Sequence, residues 1–138
     1  MIRFLTAYVC TVLVLIPLDL AWIAGMASGF YKRGLGDLLS EQPNIPVAVA
    51  FYALYGVGLV LFAVQPGLAQ NSWRVAAMWG GLFGFFAYAT YDLTNLATLK
   101  GFPWHVAAVD MLWGTFLSAV VSAMGLVISR YVLARLGA

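Results

Sequence analysis

The amino-acid sequence predicts an all-α protein: a four-helix transmembrane bundle with antiparallel up-down order, in a single domain over residues 1–138. Hydrophobic residues make up 64% of the chain and charged residues only 9%, and the mean hydropathy is +0.94. Soluble domains carry roughly 25% charged residues, so this composition indicates a membrane protein. Four apolar segments, at about 4–26, 45–65, 73–98 and 104–129, are each long enough to cross a hydrocarbon layer of about 30 Å. Because the later loops are short, neighbouring helices are expected to be antiparallel.

The first apolar segment follows Arg3 and resembles the start of a secretory signal peptide. Its apolar run is longer than the hydrophobic core of a signal peptide, which has about 7–15 residues, and it contains Asp19. We therefore expect it to be the first transmembrane helix. Pro17 lies two residues before Asp19 and is expected to remove one helical hydrogen bond, bending the helix near the carboxylate.

The longest link, residues 28–46, holds four charged residues, three glycines and two prolines. Apolar side chains recur within it at close to helical spacing, namely Phe30, Tyr31, Leu35, Leu38 and Leu39. This pattern predicts a short amphipathic segment that lies at the membrane interface between helices 1 and 2.

The two later links are short, and together they set the predicted orientation. Residues 65–72 form a polar turn, and Gly101 with Pro103 ends helix 3 and starts helix 4. Four spans place both termini on one side of the membrane. That side has four basic residues, Arg3, Arg74, Arg130 and Arg135, whereas the other side has Lys32, Arg33 and Lys100. The positive-inside rule therefore favours cytoplasmic termini.

Charge and cysteine content exclude some classes of function. The net charge is +2, and no run of Lys and Arg exists that would engage the phosphates of a nucleic acid. The single cysteine, Cys10, excludes an intrachain disulfide and most thiolate metal sites. The partner that the composition does predict is the lipid bilayer.

Three of the five acidic residues, Asp19, Asp92 and Asp110, lie inside apolar segments. A carboxylate at the centre of a membrane helix costs about 2.5–3.5 kcal/mol on insertion scales. At 1.5 Å per residue, Asp19 lies about 10 Å inside the end of helix 1. Asp92 and Asp110 lie about 9 Å inside the end of helix 3 and the start of helix 4. These depths are on the same side of the membrane, so we predict one layer of aspartates.

Helical spacing places other side chains near this layer. Tyr52 and Tyr55 of helix 2 reach the same depth, and Trp22 and Trp113 each follow an aspartate by three residues. The candidate ligand-binding or proton-relay residues are Asp19, Asp92, Asp110, Asn95, Tyr52, Tyr55, Tyr88, Tyr91, Trp22, Trp113 and Thr94. Small residues on the stripes of Asp92 and Asp110 let the helices approach closely; these are Gly80, Gly84, Gly114, Ser118 and Ser122.

Lys100 and His105 are secondary candidates, because both lie on the same side of the membrane as the aspartate layer. The long stem of Lys100 could reach down to the carboxylates. His105 could relay protons from the aqueous face, or it could be an interfacial histidine without a partner.

No Lys or Arg lies within the hydrophobic part of a span, which leaves the aspartates without a basic partner. Three neighbouring carboxylates cannot all stay ionised, so we expect at least one to be protonated or a cation to lie among them. A hard cation with oxygen ligands would suit these groups, and so would a protonated aspartate that donates to a tyrosine. A buried polar network that only fixes helix register is the third interpretation.

The string Tyr91-Asp92-Leu93-Thr94-Asn95, followed by Lys100, Gly101 and Pro103, resembles a bacterial family of small four-span inner-membrane proteins defined as a domain of unknown function. The resemblance extends to Leu18-Asp19 with Trp22, Phe51-Tyr52 with Tyr55-Gly56, and Asp110-Met111 with Trp113-Gly114. Phe102 stands where this family is expected to have Trp. The resemblance implies a bacterial inner-membrane protein and supplies no activity.

Three functions are open at this stage. The first is a site for a small molecule, proton or cation in a small transporter or binding protein; four helices are few for a transport path, so a homodimer is expected. The second is a membrane enzyme or accessory subunit in lipid modification, with Asp92 or Asp110 as acid or base, although no nucleophile, paired histidines or phosphate loop accompanies them. The third is a structural subunit of a larger membrane complex. Cofactors, metals and catalytic residues stay undefined.

Overall fold

The computed structural model describes residues 1–138, and all of its regular secondary structure is helical, which confirms the all-α prediction. The elements in chain order are α1 (Ile2–Met26), a π-helical turn (Ala27–Tyr31), α2 (Lys32–Leu35), a 3₁₀ turn (Gly36–Leu38), α3 (Ile45–Leu59), a second π-helical turn (Val60–Val64), α4 (Gln65–Ala69), α5 (Trp73–Thr98) and α6 (Trp104–Leu136). They form four long helical segments separated by three links.

Three of these segments are long and apolar enough to cross a membrane: Ile2–Leu38, Ile45–Ala69 and Trp104–Leu136. The other segment, α5, has 26 residues and therefore the length to cross. It is less apolar because glycines and polar side chains occur throughout it. By length and hydropathy the chain thus has three candidate spans, where the sequence pattern predicted four.

The first helical segment continues beyond the predicted end of helix 1. The segment was expected to stop near Met26 and to be followed by a separate interfacial piece. Helical structure instead runs on through the π-helical turn and α2 to Leu38. A π-helical turn holds more residues than an α-helical turn, so it rotates the side chains that follow it around the helix axis. Gly36 has a φ of 54°, a left-handed conformation that favours glycine, and lies where α2 ends.

Side-chain caps and prolines set where the later helices begin. Asn44 accepts a hydrogen bond from the backbone N–H of Val47 at 3.2 Å, and Pro46 occupies the first turn of α3. Ser72 caps α5 in the same way through the N–H of Val75. The start of α6 follows directly on Pro103, as the sequence predicted.

Small residues bring α5 and α6 into close contact. A methyl group added to Gly80 would overlap Ser122, and one added to Gly84 would overlap Ser118. Gly114 lies against the ring of Tyr88. Both serines are completely buried. The glycine and serine stripes therefore lie at the interface between α5 and α6, and this close approach sets the distance between Asp92 and Asp110.

The apolar core fills the space between α1, α3 and α6. Leu15, Leu59 and Leu117 pack together there with almost no exposed surface, and Val121 completes the layer. Farther along α1, Gly125 of α6 lies against Thr11. This packing fixes α1 against α6 and places Asp19 at one end of the core.

Candidate functional site

A cavity of about 550 Å³ lies at the end of the bundle where α1 and α5 end and α3 and α6 begin. Its lining includes three aspartates and is otherwise mostly aromatic and aliphatic: Asp19, Trp22, Ile23, Ala27, Tyr31, Leu35, Leu39, Phe51, Tyr55, Ala87, Tyr88, Tyr91, Asp92, Phe102, Val106, Asp110 and Trp113. We call it the acidic cavity. All three aspartates that the sequence predicted to lie in one layer line this cavity.

Asp19 is held by donors from two other helices. It is 6% exposed, and its Oδ2 accepts a hydrogen bond from the hydroxyl of Tyr52 at 2.7 Å. Its Oδ1 accepts from the indole Nε1 of Trp113 at 3.0 Å. Hydrogen bonds to an ionised acceptor are the stronger class in proteins, so these two bonds compensate in part for burial of the carboxylate. Both carboxylate oxygens of Asp19 are therefore engaged.

Asp110 is held by a chain of two hydrogen bonds. The hydroxyl of Tyr31 donates to Oδ1 of Asp110 at 2.8 Å, and the same hydroxyl accepts from the indole Nε1 of Trp22 at 3.0 Å. Tyr31 belongs to the π-helical turn that follows α1, so the bond ties this turn to α6. Oδ1 of Asp110 thus receives its hydrogen bond from a residue of the first helical segment.

Trp22 and Trp113 join the two networks. Their rings stack with centroids 4.2 Å apart and planes inclined by 5°. Each indole follows an aspartate by three residues on its own helix, but Trp113 donates to Asp19 of the other helix. Trp22 acts on Asp110 through Tyr31. The repeated Asp-x-x-Trp spacing therefore produces a crossed arrangement between α1 and α6.

Asp92 differs from the other two aspartates because it has no hydrogen-bond donor. Its side chain is completely buried, and neither of its carboxyl oxygens has a partner. Its acidic neighbour is Asp110, whose carboxyl group lines the same cavity. Ionised carboxylates can only accept hydrogen bonds, so without a proton or a cation the two groups repel each other.

Tyrosines form much of the remaining polar wall. The hydroxyl of Tyr55 shares a hydrogen bond of 2.6 Å with the buried Ser118 of α6. Phe51 stacks on Tyr55 with centroids 5.2 Å apart, and Tyr88 meets Tyr55 edge to face at 6.2 Å. The aromatic side chains of the lining therefore pack against one another both face to face and edge to face.

The structure does not bring all the predicted residues to the cavity. Thr94 is exposed and donates to backbone carbonyls of its own helix, and Asn95 is half-buried outside the lining. Lys100 is exposed. His105 is exposed as well and packs edge-on against Phe30, with ring centroids 5.7 Å apart. Helical depth alone could not separate these residues from the cavity lining, because it does not fix the direction around the helix axis.

Sequence reasoning missed part of the lining. Tyr31 was predicted to lie at the membrane interface, whereas its hydroxyl links Trp22 to Asp110. Leu35 and Leu39, in the same predicted amphipathic segment, also line the cavity. The helical spacing of these residues was visible, but the π-helical turn that directs them toward α6 has no recognisable sequence pattern.

The spacing of the acidic side chains also bears on whether they could bind a metal ion, a question that the sequence left open. No three side chains among the His, Cys, Asp and Glu residues come close enough together to hold a metal ion. The aspartates thus share one cavity without converging on a single point.

Over residues 4–127, the chain matches the family described as "Predicted membrane protein (DUF2177)". The chain belongs to this family. No curated protein and no solved structure matches it. Family membership and the apolar helices together identify a predicted integral membrane protein with several helices able to cross a bilayer. The function of the family is unknown, so a function must be argued from the cavity.

Proposed function

We propose that the acidic cavity is a binding site for a small molecule, proton or cation, and that the protein acts as a small transporter or binding protein of the bacterial inner membrane. The observation that carries this proposal is Asp92, a completely buried carboxyl group that lines a cavity and has no hydrogen-bond partner. Buried polar groups in native proteins nearly always have partners, and an exception requires an explanation. A ligand or an exchangeable proton supplies the missing partner.

The surroundings of Asp92 favour a functional role over a purely structural one. A network that only fixed helix register would pair its members, as Asp19 is paired with Tyr52 and Trp113. Asp92 instead adds an unpaired charge or an uncompensated carboxyl group next to Asp110. Such an arrangement destabilises the fold, so its presence favours a function that needs it.

All four long helical segments cross the bilayer in this proposal, in alternating directions. The contacts of α5 with α6 support an antiparallel pair, because Gly80, Gly84 and Tyr88 meet Ser122, Ser118 and Gly114 in reverse order. The low hydropathy of α5 is compatible with crossing, since its glycines face α6 rather than lipid. Both termini then lie on one side, which we assign to the cytoplasm, and the cavity opens toward the other.

Proton flux across proteoliposomes tests this function directly. The protein is reconstituted around a trapped pH-sensitive dye, and a pH step is applied with valinomycin and K⁺ present to prevent a membrane potential. Asp19→Asn, Asp92→Asn and Asp110→Asn are compared with the wild type, and Glu41→Gln removes an exposed carboxylate outside the cavity as the matched control.

We expect Asp92→Asn and Asp110→Asn to lower the flux by about tenfold or more, because each removes one half of the carboxyl pair that would carry the proton. Glu41→Gln should keep the wild-type flux. Equal flux in the wild type and all three aspartate variants would contradict transport through the acidic cavity.

A further inference from the structure

We propose that the ligand of the acidic cavity is an organic cation, a positively charged group on an apolar body small enough to fit about 550 Å³. This inference rests on the proposed function above and adds the chemical class of the ligand. Four features of the cavity carry it: its charge, the free oxygens of Asp92, its aromatic wall and its size.

The charge of the lining is one-sided. Asp19, Asp92 and Asp110 contribute three carboxyl groups, and the lining contains no Lys, Arg or His. A proton can neutralise one member of the pair formed by Asp92 and Asp110, but the other carboxylates still lack a counter-charge. Buried charges in proteins are paired or bind ions, so the cavity favours a positive ligand over a neutral or negative one.

Three of the six carboxylate oxygens in the lining already accept a hydrogen bond, and three do not. Both oxygens of Asp19 and Oδ1 of Asp110 already accept hydrogen bonds from tyrosine and tryptophan side chains. Both oxygens of Asp92 are free. A cationic group that enters the cavity therefore meets Oδ2 of Asp110, which accepts no hydrogen bond, and the buried, unpaired carboxyl group of Asp92 belongs to the same lining.

The rest of the cavity suits an apolar body better than a hydrated metal ion. Aromatic rings attract cations through their π faces, by roughly 0.5–1 kcal/mol at exposed sites and more where water is excluded. The stacked pair Trp22–Trp113 and the rings of Tyr55 and Tyr88 border the same space as the carboxylates. A volume of about 550 Å³ is in the range of small-molecule sites, roughly 300–1,000 Å³, and far exceeds the volume of an inorganic ion.

Tetraphenylphosphonium and tetraphenylborate provide the sharpest test, because they have nearly the same shape and opposite charges. Titration of the detergent-solubilised protein with each ion is followed by calorimetry and by tryptophan fluorescence, since Trp22 and Trp113 line the cavity. We expect saturable binding of the phosphonium ion and at least about tenfold weaker binding of the borate ion. Truncating one partner of a buried charge pair typically lowers affinity by about tenfold or more, so Asp92→Asn should weaken phosphonium binding to that extent.

Asp110→Asn serves as a second variant with the same expected direction, and Glu41→Gln should bind the phosphonium ion as the wild type does. Circular dichroism of the same samples establishes that each variant is folded. Should a variant fail to fold, the comparison of the two probes on the wild-type protein still decides the question of charge.

The outcomes separate this inference from the proposed function. Equal binding of both probes, unaffected by Asp92→Asn, would overturn the organic-cation assignment and leave a site for uncharged ligands. Absence of saturable phosphonium binding together with an Asp92-dependent proton flux would also overturn it, while leaving proton transport intact. No binding and no Asp92-dependent flux would overturn both.

Discussion

Asp19 and Asp92 line one cavity, yet their hydrogen bonding differs completely. Asp19 accepts bonds from Tyr52 and Trp113, which come from α3 and α6. Asp92 accepts none, although its side chain is fully buried. Satisfied buried networks hold a fold together, whereas an unsatisfied group destabilises it. At the scale of single residues, Asp19 therefore ties α1 to α3 and α6, whereas Asp92 has no such partner, and in the function proposed above it is the group that meets a ligand or a proton.

The same substitution at these two positions should have opposite effects on stability. In Asp19→Asn, the amide oxygen can still accept from Trp113, but the amide N–H₂ takes the place of the oxygen that accepts from Tyr52, so the Tyr52 hydroxyl loses its acceptor and both hydrogen bonds to a carboxylate are lost or become neutral ones. We expect this variant to lose about 1–3 kcal/mol of stability. Asp92→Asn loses no hydrogen bond and removes an unpaired carboxyl group, so its stability should be unchanged or higher.

Thermal unfolding in one detergent at neutral pH, followed by circular dichroism, measures both effects, with Glu41→Gln as the control for loss of an exposed charge. A destabilisation by Asp92→Asn as large as that by Asp19→Asn would mean that Asp92 has a structural partner after all.

At the scale of elements, the contact between α5 and α6 depends on residues without a side chain or with a very small one. A methyl group at Gly84 would overlap the backbone carbonyl of Gly114 and the side chain of Ser118. Backbone cannot move aside as the end of a long side chain can. The contact therefore fixes the distance between the two helices that carry Asp92 and Asp110.

Gly84→Ala should accordingly destabilise the protein by about 1–3 kcal/mol, the usual range for overpacking a close interface. Gly25→Ala is the matched control, because a methyl group there meets nothing within 4 Å. It should be neutral or slightly stabilising, since alanine is the better helix former. Thermal unfolding of the two variants in the same detergent makes the comparison. Equal melting temperatures of the two variants would contradict close packing at Gly84.

The π-helical turn after α1 contains Tyr31 and places its hydroxyl within hydrogen-bond distance of Asp110. Tyr31→Phe removes two hydrogen bonds at once, the one from Trp22 and the one to Asp110. We expect faster amide hydrogen exchange in residues 27–38, because this part of the chain loses its polar tie to α6. Exchange in the middle of α5 and α6 should stay as in the wild type, since Gly80 and Ser122 lie far along the helices from Tyr31. Unaltered exchange in residues 27–38 would show that apolar packing alone holds the segment.

The sequence predicted the depth of the aspartates and the glycine and serine faces of α5 and α6, but not which of the neighbouring side chains line the cavity. A fixed rise of 1.5 Å per residue was enough to place Asp19, Asp92 and Asp110 in one layer, and the structure brings all three to one cavity. Rotation around each helix axis is set by packing, which is why Thr94 proves to face away from the cavity. Tyr31 was missed for a related reason, because the π-helical turn that rotates it has no pattern that periodicity detects.

At the scale of the whole molecule, large apolar side chains cover the outside of the bundle. Leu13 of α1, Leu54 of α3 and Leu112 of α6 are each at least two-thirds exposed, at 67%, 73% and 72%. Extended apolar surface of this kind is rare on soluble monomers and is expected where lipid forms the surroundings. On α5, Phe86 is similarly exposed, at 64%. The least apolar segment, α5, thus carries an outward apolar side chain as well, which agrees with four membrane crossings.

Cysteine labelling can count these crossings. In a Cys10→Ala background, single cysteines replace Gln70, Ala138, Ser40 or Lys100, all of which are exposed in the links or at the C-terminus. If α5 crosses the bilayer, the links on its two sides face opposite compartments. The cysteines at 40 and 100 should then react with an impermeant maleimide added to intact cells, because the cytoplasmic assignment of the termini places these links outside. Those at 70 and 138 should react only after permeabilisation.

Labelling at positions 70 and 100 shows whether α5, the least apolar helix, crosses the bilayer, because only α5 separates these two positions. Labelling of both from the same side would mean that α5 does not cross, and the acidic cavity would then be only partly enclosed by lipid-spanning helices. Labelling of 70 and 138 in intact cells, with 40 and 100 protected, would keep the four crossings but reverse the orientation. The cavity would then open to the cytoplasm, because Asp92 and Asp110 lie near the ends of α5 and α6 that flank Lys100.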